Sequence, residues 1–245
     1  MNPLFKYFLG DYSQVGLSNK QNRHLWIKQK LKDLPAGLTI LDAGAGELQF
    51  KPDCSHLKYT SQDFAQYDGK GDGKGIQANK WDNSKLDIIS DITNIPVESN
   101  TFDVVFCSEV LHHLPHPVNA LKELVRVLKP NGQLIITAPF ASLTHFAPYH
   151  FSSGFNKYFY EYWMKEFNCD ITELTYNGNY FEFVAQEVRY ASDVAQKYSS
   201  IKMTLKEKLA QRIFLSFLQK NSKQSSNAKE LLAFSMMLVA KKNQP

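Results

Sequence analysis

Short apolar runs alternate with amphipathic segments through the first 140 residues of the chain. Residues 22–34 repeat their apolar positions at helical spacing, and Pro35 follows them. The period then changes, because residues 38–41 form a short apolar run that enters the sequence DAGAG. A second amphipathic helix is predicted at 118–128, followed by the turn sequence KPNG, and further strands are predicted at 57–62, 86–89, 102–107 and 133–138. This alternation predicts an α/β fold with βαβ units and a mainly parallel sheet covered on both faces.

The pattern differs beyond Pro139. Residues 145–167 are crowded with aromatic side chains. Further elements are a strand near 171–176, helices at about 180–198 and 201–220, a polar loop at 221–229 and a last strand at 235–241. The sequence therefore predicts an N-terminal arm (1–21) and a single domain (22–245), in which 141–230 is a helical insertion that caps the substrate.

Composition places the 245-residue chain among ordinary globular proteins, with 43% hydrophobic and 21% charged residues. Its 12 Gly and 10 Pro exclude a collagen-like chain or a Gly/Pro-rich disordered one. The N-terminus lacks the long apolar stretch of a secretory signal, and we expect a cytoplasmic protein. Three widely separated cysteines without a CxxC pair indicate neither a disulfide framework nor a zinc site, so no metal is expected.

The net charge of +4 is unevenly distributed. Residues 197–245 hold ten basic and two acidic residues, whereas the preceding 196 hold 18 and 22. This asymmetry disfavours nucleic acid as a partner of the acidic part, where no basic, aromatic-interleaved groove is evident. The predicted helix 201–220 has an apolar face and a largely separate basic face, which is typical of packing on the domain or of contact with an anionic membrane.

The sequence around Gly44 and Gly46 is the first candidate binding element. A strand that stops at Gly-x-Gly lets backbone amides approach a ligand closely, since no Cβ intervenes. The alternative is a plain turn from strand to helix. A dinucleotide fingerprint requires GxGxxG, but Gln49 stands at the final position, so a nicotinamide cofactor is disfavoured.

Acidic residues end the next two predicted strands. Asp63 stands where a carboxylate can accept hydrogen bonds from both hydroxyls of a ribose, and Asp91 could accept one from an adenine amine. Either residue could instead be a turn residue or a helix cap. Three such strand ends at the carboxyl edge of an open α/β sheet predict a nucleoside-binding crevice.

These motifs resemble the class I S-adenosylmethionine-dependent methyltransferases. The matching sequences are LDAGAG at 41–46, Asp63, and the stretches 90–114 and 120–139. The resemblance covers about residues 22–140 and is nearest to the ubiquinone and menaquinone methyltransferases, with a likeness to enzymes associated with bacterial surface polysaccharides. One departure is Leu48, where that family often has a third glycine. The resemblance implies a Rossmann-like, doubly wound, seven-stranded sheet with an α-helical insertion before the last strand, and S-adenosylmethionine as cofactor.

The resemblance also implies roles for individual residues. Asp42, Gly44, Ala45 and Gly46 would line the methionine end of the cofactor, and Arg23 would pair with its carboxylate. The remaining cofactor contacts implied are Asp63 for the ribose, Phe64, Asp91 and Ile92 for the adenine, and Ser108 with Glu109 beneath the sulfonium.

Methyl transfer to a hydroxyl can require a general base, and histidine suits this role near neutral pH. We expect the base among His113, His150 and, more weakly, Glu109, with packed or exposed histidines as the alternative. Tyr149 and Phe151 are the expected substrate contacts, because aromatic faces suit sugar rings, quinoid rings and lipid chains. The function predicted is O-methylation of a small molecule or a glycan or lipid-linked intermediate. The alternatives are quinone-type C-methylation and a catalytically silent scaffold that binds the cofactor.

Overall fold

The computed structural model describes residues 11–78, 80–225 and 227–244, and it contains one seven-stranded sheet. The strands are β1 (Thr39–Ala43), β2 (Lys58–Asp63), β3 (Ile88–Ile89), β4 (Phe102–Ser108), β5 (Leu128–Pro139), β6 (Cys169–Asn177) and β7 (Ser235–Lys242). Their order across the sheet is β3-β2-β1-β4-β5-β7-β6. Strands β1 to β5 pair in parallel, whereas β7 is antiparallel to β5. This topology confirms the predicted α/β fold, including the helical insertion before the last strand.

Five α-helices accompany the sheet within the described residues. They are α1 (Asn19–Lys32), α2 (Pro117–Val127), α3 (Lys157–Glu166), α4 (Tyr180–Tyr198) and α5 (Leu205–Gln224). Helix α1 shows how sequence spacing becomes packing. Its Ile27 and Leu31, four residues apart, share a buried cluster with Phe106 of β4. Burial of each such aliphatic side chain contributes about 2 kcal/mol.

The described chain divides into two compact units. The sheet unit comprises residues 23–175 and 235–244, and the helical unit comprises residues 11–22 and 176–234. In the helical unit Val15 packs with Ala185 and Leu218, and the guanidinium of Arg189 donates hydrogen bonds to the carbonyls of Val15 and Tyr12. The predicted division into an arm (1–21) and one domain (22–245) stays a prediction, and residues 1–10 lie outside the described residues.

Two predicted elements differ from the structure. The sequence predicts a turn at KPNG (129–132), but these residues lie inside β5. The pairing of β5 with β4 shifts register between Phe102 and Val104. Asn131 takes a left-handed φ of 63° there, so the turn residues form an irregularity within a strand. The expected loop at 221–229 is wrong over its first four residues, because α5 continues to Gln224. The last four residues of α5 are all polar, so the sequence shows no apolar periodicity that would indicate a helix there.

Helix α5 exposes most of its apolar face. Of the seven apolar residues predicted on that face, only Leu218 is buried. The others are between 45% and 86% exposed: Ile201, Leu205, Leu209, Ile213, Phe214 and Phe217. Of the two alternatives that the sequence leaves open for this face, packing on the domain therefore applies to Leu218 and not to the exposed residues. In the part of the chain that the structure describes, no helix is long and apolar enough to cross a lipid bilayer.

Candidate active site

The glycine loop after β1 is held by backbone hydrogen bonds and by close packing. The amides of Gly44 and Ala45 both donate to the carbonyl of Gln62, at 2.8 and 2.9 Å. Gly44 has a φ of 77°, and a Cβ built on it would stand 2.2 Å from a methyl carbon of Val110. Both its backbone conformation and this packing therefore require glycine at position 44.

The tail of this loop departs from a simple strand-to-helix turn. A short 3-10 helix (Lys51–Cys54) follows in place of an α-helix. Leu48, which stands where the resembled family often has glycine, adopts a φ of 59°. Left-handed backbone costs a residue with a Cβ about 1 to 2 kcal/mol, so the tail is strained at this residue.

Asp63 connects the glycine loop to the end of β2. Its side chain is buried, and its two carboxylate oxygens accept hydrogen bonds from the amides of Gly46 and Ala65, both at 2.9 Å. Asp63 therefore acts as a turn residue, which is one of the alternatives that the sequence leaves open. Each carboxylate oxygen keeps a further lone pair, so the group can also accept hydrogen bonds from ligand hydroxyls.

Asp42 is the most perturbed carboxyl group at this edge. It is 3% exposed and accepts a hydrogen bond of 2.6 Å from the hydroxyl of Tyr59. The pKa of Asp42 is raised to about 7. Burial is the main cause, and the negative charge of Asp63 adds to it, whereas the hydrogen bond from Tyr59 lowers the pKa. At neutral pH a substantial fraction of Asp42 therefore carries a proton.

Arg23 and Glu109, two predicted cofactor residues, form an ion pair in the sheet unit. Their charged atoms lie 3.2 Å apart, and the two side chains are mostly shielded from solvent. Glu109 also accepts a hydrogen bond from the Thr137 hydroxyl, which lies 2.9 Å from the hydroxyl of Ser108. An adjacent cation and anion are matched in charge to the zwitterionic end of an amino acid.

The expected adenine and substrate residues occupy neighbouring segments. The rings of Phe64 and Tyr149 meet edge to face at 5.0 Å, which joins a residue expected at the adenine to one expected at the substrate. Ile92 is buried, whereas Asp91 is exposed and accepts hydrogen bonds from the amide and hydroxyl of Thr93. Phe151 is 54% exposed.

Two loops, 65–85 and 141–155, are joined by backbone hydrogen bonds and ring contacts, which the sequence did not predict. The amide of Asp72 donates to the carbonyl of Ala147, and the amide of Phe146 donates to the carbonyl of Ile76. The ring of Trp81 lies 5.6 Å from that of Phe146, and a Cβ on Gly46 would stand 2.6 Å from Trp81. The one sequence signal for this contact was Trp81, an aromatic residue in a glycine-rich segment, and such a residue is weak evidence for a contact.

Four histidines gather at the ends of β4 and β5. One ligand nitrogen from each of His112, His113, His145 and His150 lies within 4.8 Å of the others. Burial, and then the neighbouring imidazoles, lower the pKa of His113 to about 3 and that of His112 well below its usual value. Burial lowers the pKa of His150 as well. These three imidazoles are therefore neutral near pH 7.

The residues at this edge fit S-adenosylmethionine. The amides of Gly44, Ala45 and Gly46 donate within the protein, so the glycine loop can offer a ligand only its backbone surface, whereas Asp63 offers a carboxylate at the end of β2. Arg23 and Glu109 supply both charges that an amino acid end requires. Predicted residues from α1, β1, β2 and β4 are thus present with suitable chemistry.

The chain is similar to known proteins in sequence and, separately, in fold. A family model described as a methyltransferase domain matches residues 41–136. A ubiquinone/menaquinone biosynthesis C-methyltransferase (UbiE) of Bdellovibrio bacteriovorus is 32% identical over 123 residues, or 46% of this chain and 50% of that protein. A demethylmenaquinone methyltransferase of Staphylococcus haemolyticus is 30% identical over 144 residues, or 55% and 59%. The chain therefore spans less than two thirds of either relative.

Solved structures share the fold at low sequence identity. Phosphoethanolamine N-methyltransferase 2 of Haemonchus contortus, in complex with S-adenosyl-L-methionine, matches with a TM-score of 0.53 and 17% identity, covering 98% of this chain and 56% of that one. The [4+2]-cyclase SpnF matches with a TM-score of 0.54 and 16% identity, covering 95% and 86%. Because an N-methyltransferase and a cyclase share this fold, its function must be argued from the site.

Proposed function

We propose that this protein is a class I S-adenosylmethionine-dependent methyltransferase that transfers the methyl group of that cofactor to an oxygen of a small molecule. The match of residues 41–136 to a methyltransferase domain supports this proposal. The acceptor class would include glycan and lipid-linked intermediates. The proposal depends most on one observation: neutral histidines stand at the ends of β4 and β5, on the same sheet edge as the glycine loop and Asp63.

Bound S-adenosylmethionine supplies a methyl group already activated on a sulfonium, so the protein contributes mainly positioning. Asp63 would accept hydrogen bonds from the ribose hydroxyls. Arg23 and Glu109 would separate from each other to meet the carboxylate and the ammonium of the methionine end. Asp42, Gly44, Ala45 and Gly46 would line that end, and Ser108 would lie beneath the sulfonium. Phe64, Asp91 and Ile92 would contact the adenine.

His113, His150 and Glu109 are the proposed groups that take the proton of the acceptor hydroxyl. Glu109 is engaged by Arg23 and Thr137, which weakens it as a base. His113 donates from Nδ1 to the carbonyl of Tyr149 at 2.5 Å, so its Nε2 carries the lone pair, but a pKa of about 3 gives little driving force. The buried Nδ1 of His150 has no hydrogen-bond partner among the described residues, which favours His150.

Tyr149 and Phe151 would contact the acceptor. Both belong to the loop that carries His145 and His150, and the backbone amide of Phe151 donates to the carbonyl of His112. Aromatic faces in this loop suit a ring or a lipid chain equally. The names of the two relatives support quinone-type C-methylation as the second candidate. A scaffold that binds the cofactor without transferring its methyl group is the third.

The test uses S-adenosylmethionine labelled with ¹³C in the methyl group. The purified protein is incubated with this cofactor and an extract of the source cells, and labelled products are identified by mass spectrometry and NMR. We expect the ¹³C signal at a methoxy shift. A signal at a ring-methyl shift would establish C-methylation, and cofactor binding without any labelled product would support the scaffold.

Substitution of Asp63 by alanine is expected to weaken S-adenosylmethionine binding by about 100-fold or more, because it removes two hydrogen bonds to a charged group, each of which contributes about 1.5 to 3 kcal/mol. Isothermal titration calorimetry measures the change. Asp193→Ala removes an exposed carboxylate of α4 and serves as the matched control. Unchanged affinity in a folded Asp63→Ala protein would show that this carboxylate does not contact the cofactor.

We also propose that α5 binds an anionic membrane surface. Leu205, Ile213 and Phe217 are exposed on this helix, and Lys206 and Arg212 lie along it. An apolar strip flanked by basic side chains is typical of helices that lie in a membrane interface. The C-terminal excess of basic residues favours anionic lipid as the partner of this helix.

The membrane proposal predicts co-sedimentation with vesicles that contain phosphatidylglycerol and little with vesicles of phosphatidylcholine alone. Replacement of Leu205 and Phe217 by aspartate should reduce binding to the anionic vesicles by about tenfold or more, since burial of each apolar side chain contributes on the order of 1.5 to 3 kcal/mol. Replacement of Leu25 and Ile89, which are exposed apolar residues of the sheet unit, is the control. Equal loss in both pairs would contradict a specific role for α5.

A further inference from the structure

The histidine cluster combines residues from two segments that the fold brings together. His112 and His113 belong to the short 3-10 helix after β4 (Leu111–His113), and His145 and His150 belong to the loop after β5. The amides of Phe151 and Ser152 both donate to the carbonyl of His112, at 3.0 and 3.2 Å, so backbone hydrogen bonds hold the two segments side by side. These four are more than half of the seven histidines in the chain.

We propose that His112, His113, His145 and His150 together bind one Zn²⁺ ion. The Nε2 atoms of His112 and His145 lie 3.0 Å apart. Two nitrogens bound to one tetrahedral zinc at 2.0 to 2.1 Å are about 3.3 Å apart, so these two atoms need almost no movement. Because Nε2 of His145 accepts in this contact, Nε2 of His112 carries the hydrogen, and zinc binding requires that proton to move to Nδ1 of His112. The widest separation in the cluster, 4.8 Å, closes to that value by side-chain rotation of about 1.5 Å.

Two of the rings already have their second nitrogen fixed. Nδ1 of His113 donates to the carbonyl of Tyr149 at 2.5 Å, and Nδ1 of His145 donates to the carbonyl of Leu143 at 2.8 Å. A carbonyl accepts only, so in the neutral form of either ring Nε2 would hold the lone pair. This arrangement, in which a backbone carbonyl orients a ligating imidazole, is common in metal sites.

Hydrogen bonding within the cluster does not satisfy all of its nitrogens. Nδ1 of His112 is buried in a residue with no exposed surface, and it has no hydrogen-bond partner among the described residues. Nδ1 of His150 is likewise buried without a partner in that part of the chain. A buried polar nitrogen without a partner costs roughly 1 to 3 kcal/mol, so hydrogen bonding alone does not account for the gathering of these four rings.

The ligand set selects the class of metal. Four imidazoles suit zinc and its transition-metal neighbours, whereas Mg²⁺ and Ca²⁺ require oxygen ligands. An imidazole binds zinc in its neutral form, which is the predominant form of an ordinary histidine at pH 7 and above. The sequence analysis expected no metal because the chain lacks a CxxC pair, and a site built from histidines alone does not depend on such a pair.

Zinc would change the role of these histidines in the proposed reaction. A ring nitrogen that binds zinc cannot accept a proton, so His113 and His150 can serve as bases only in metal-free protein. The bound ion would also fix the loop that carries Tyr149 to the end of β4. Zinc binding does not depend on methyl transfer, and its test requires neither cofactor nor acceptor.

The experiment titrates ZnCl₂ into chelator-treated, tag-free protein and follows binding by calorimetry. We expect one ion per chain with a dissociation constant below about 1 µM, in the range of protein zinc sites built from several imidazoles. Cobalt chloride is the spectroscopic probe, because Co²⁺ in a tetrahedral nitrogen site absorbs strongly in the visible range. Binding of less than half an equivalent, or no visible band with Co²⁺, would overturn the proposal.

Variants identify the ligands. His145→Ala and His150→Ala change partly exposed side chains and should each weaken zinc binding by about 100-fold or more, since both remove a bond to the metal. Their urea unfolding with chelator present should match that of the parent protein. His116→Ala is the matched control, because His116 is exposed and stands outside the cluster. Undiminished zinc affinity in either cluster variant, or equal loss in His116→Ala, would refute the four-histidine site.

Discussion

Gly44→Ala is expected to destabilise the sheet unit by about 2 to 4 kcal/mol, through two separate effects. The first is backbone strain, since alanine must adopt a φ of 77°. The second is steric: the new methyl group would stand 2.2 Å from Cγ2 of Val110 and 3.0 Å from its Cγ1. Valine is branched at Cβ and cannot turn both methyl groups away, so either the glycine loop or the segment after β4 that carries Val110 must shift.

Tryptophan fluorescence during urea unfolding is the suitable measurement. The three tryptophans of the chain, Trp26, Trp81 and Trp163, all lie in the sheet unit. Their signal therefore reports unfolding of that unit. Gly37→Ala provides a matched control, because Gly37 has a φ of 83° but no atom within 4 Å of its added Cβ. It should cost about 1 to 2 kcal/mol, which is the backbone strain alone.

A double-mutant cycle separates the steric effect from the backbone effect. Val110→Ala removes the two methyl groups that the new Cβ meets. The Gly44→Ala and Val110→Ala double variant should then be more stable than the sum of the single effects predicts, by about 1 to 2 kcal/mol. Strict additivity, or equal costs at Gly37 and Gly44, would show that contact with Val110 does not set the requirement for glycine.

The sequence predicted the parts of the site that follow from strand ends. Gly44 and Asp63 stand at or just after the ends of two predicted strands, and parallel strands place their carboxyl ends at one edge of the sheet. Knowledge of the strands alone is therefore enough to place these residues near each other. The same reasoning disfavours a dinucleotide fingerprint, because that motif depends on local spacing in the sequence.

Residues on loops could not be placed in this way. Trp81 reaches Gly46 only because the loop 65–85 pairs with the loop 141–155, through contacts such as that between Ile76 and Phe146. His112 and His145 are 33 residues apart, and their approach depends on the same loop path. Hydrophobic periodicity carries no information about such paths, because the loops are fixed by backbone hydrogen bonds between segments that are distant in sequence.

Asp42→Asn is expected to stabilise the protein more as the pH rises. The folded-state pKa of Asp42 is raised by burial to about 7, whereas an unfolded aspartate has a pKa near 3.8. Between these values the folded state binds a proton that the unfolded state has lost, so this group's favourable contribution is complete below pH 3.8 and is lost as the pH rises to 7. Asparagine does not ionise. From pH 5 to pH 8 the stability difference between the variant and the parent should increase by about 3 kcal/mol.

Asp103→Asn is the matched control for this pH series, since the two carboxyl groups are perturbed in opposite directions. Burial raises the pKa of Asp103, but hydrogen bonds from Lys129 and Thr39 outweigh it and hold the value at about 2. Its favourable contribution is therefore present above pH 3.8 and is lost only in stronger acid. The effect of Asp103→Asn should be constant from pH 5 to pH 8 in urea unfolding followed by tryptophan fluorescence. An equally constant effect of Asp42→Asn would mean that the buried carboxyl group at the end of β1 is ionised throughout this range, and that the Tyr59 hydrogen bond offsets its burial.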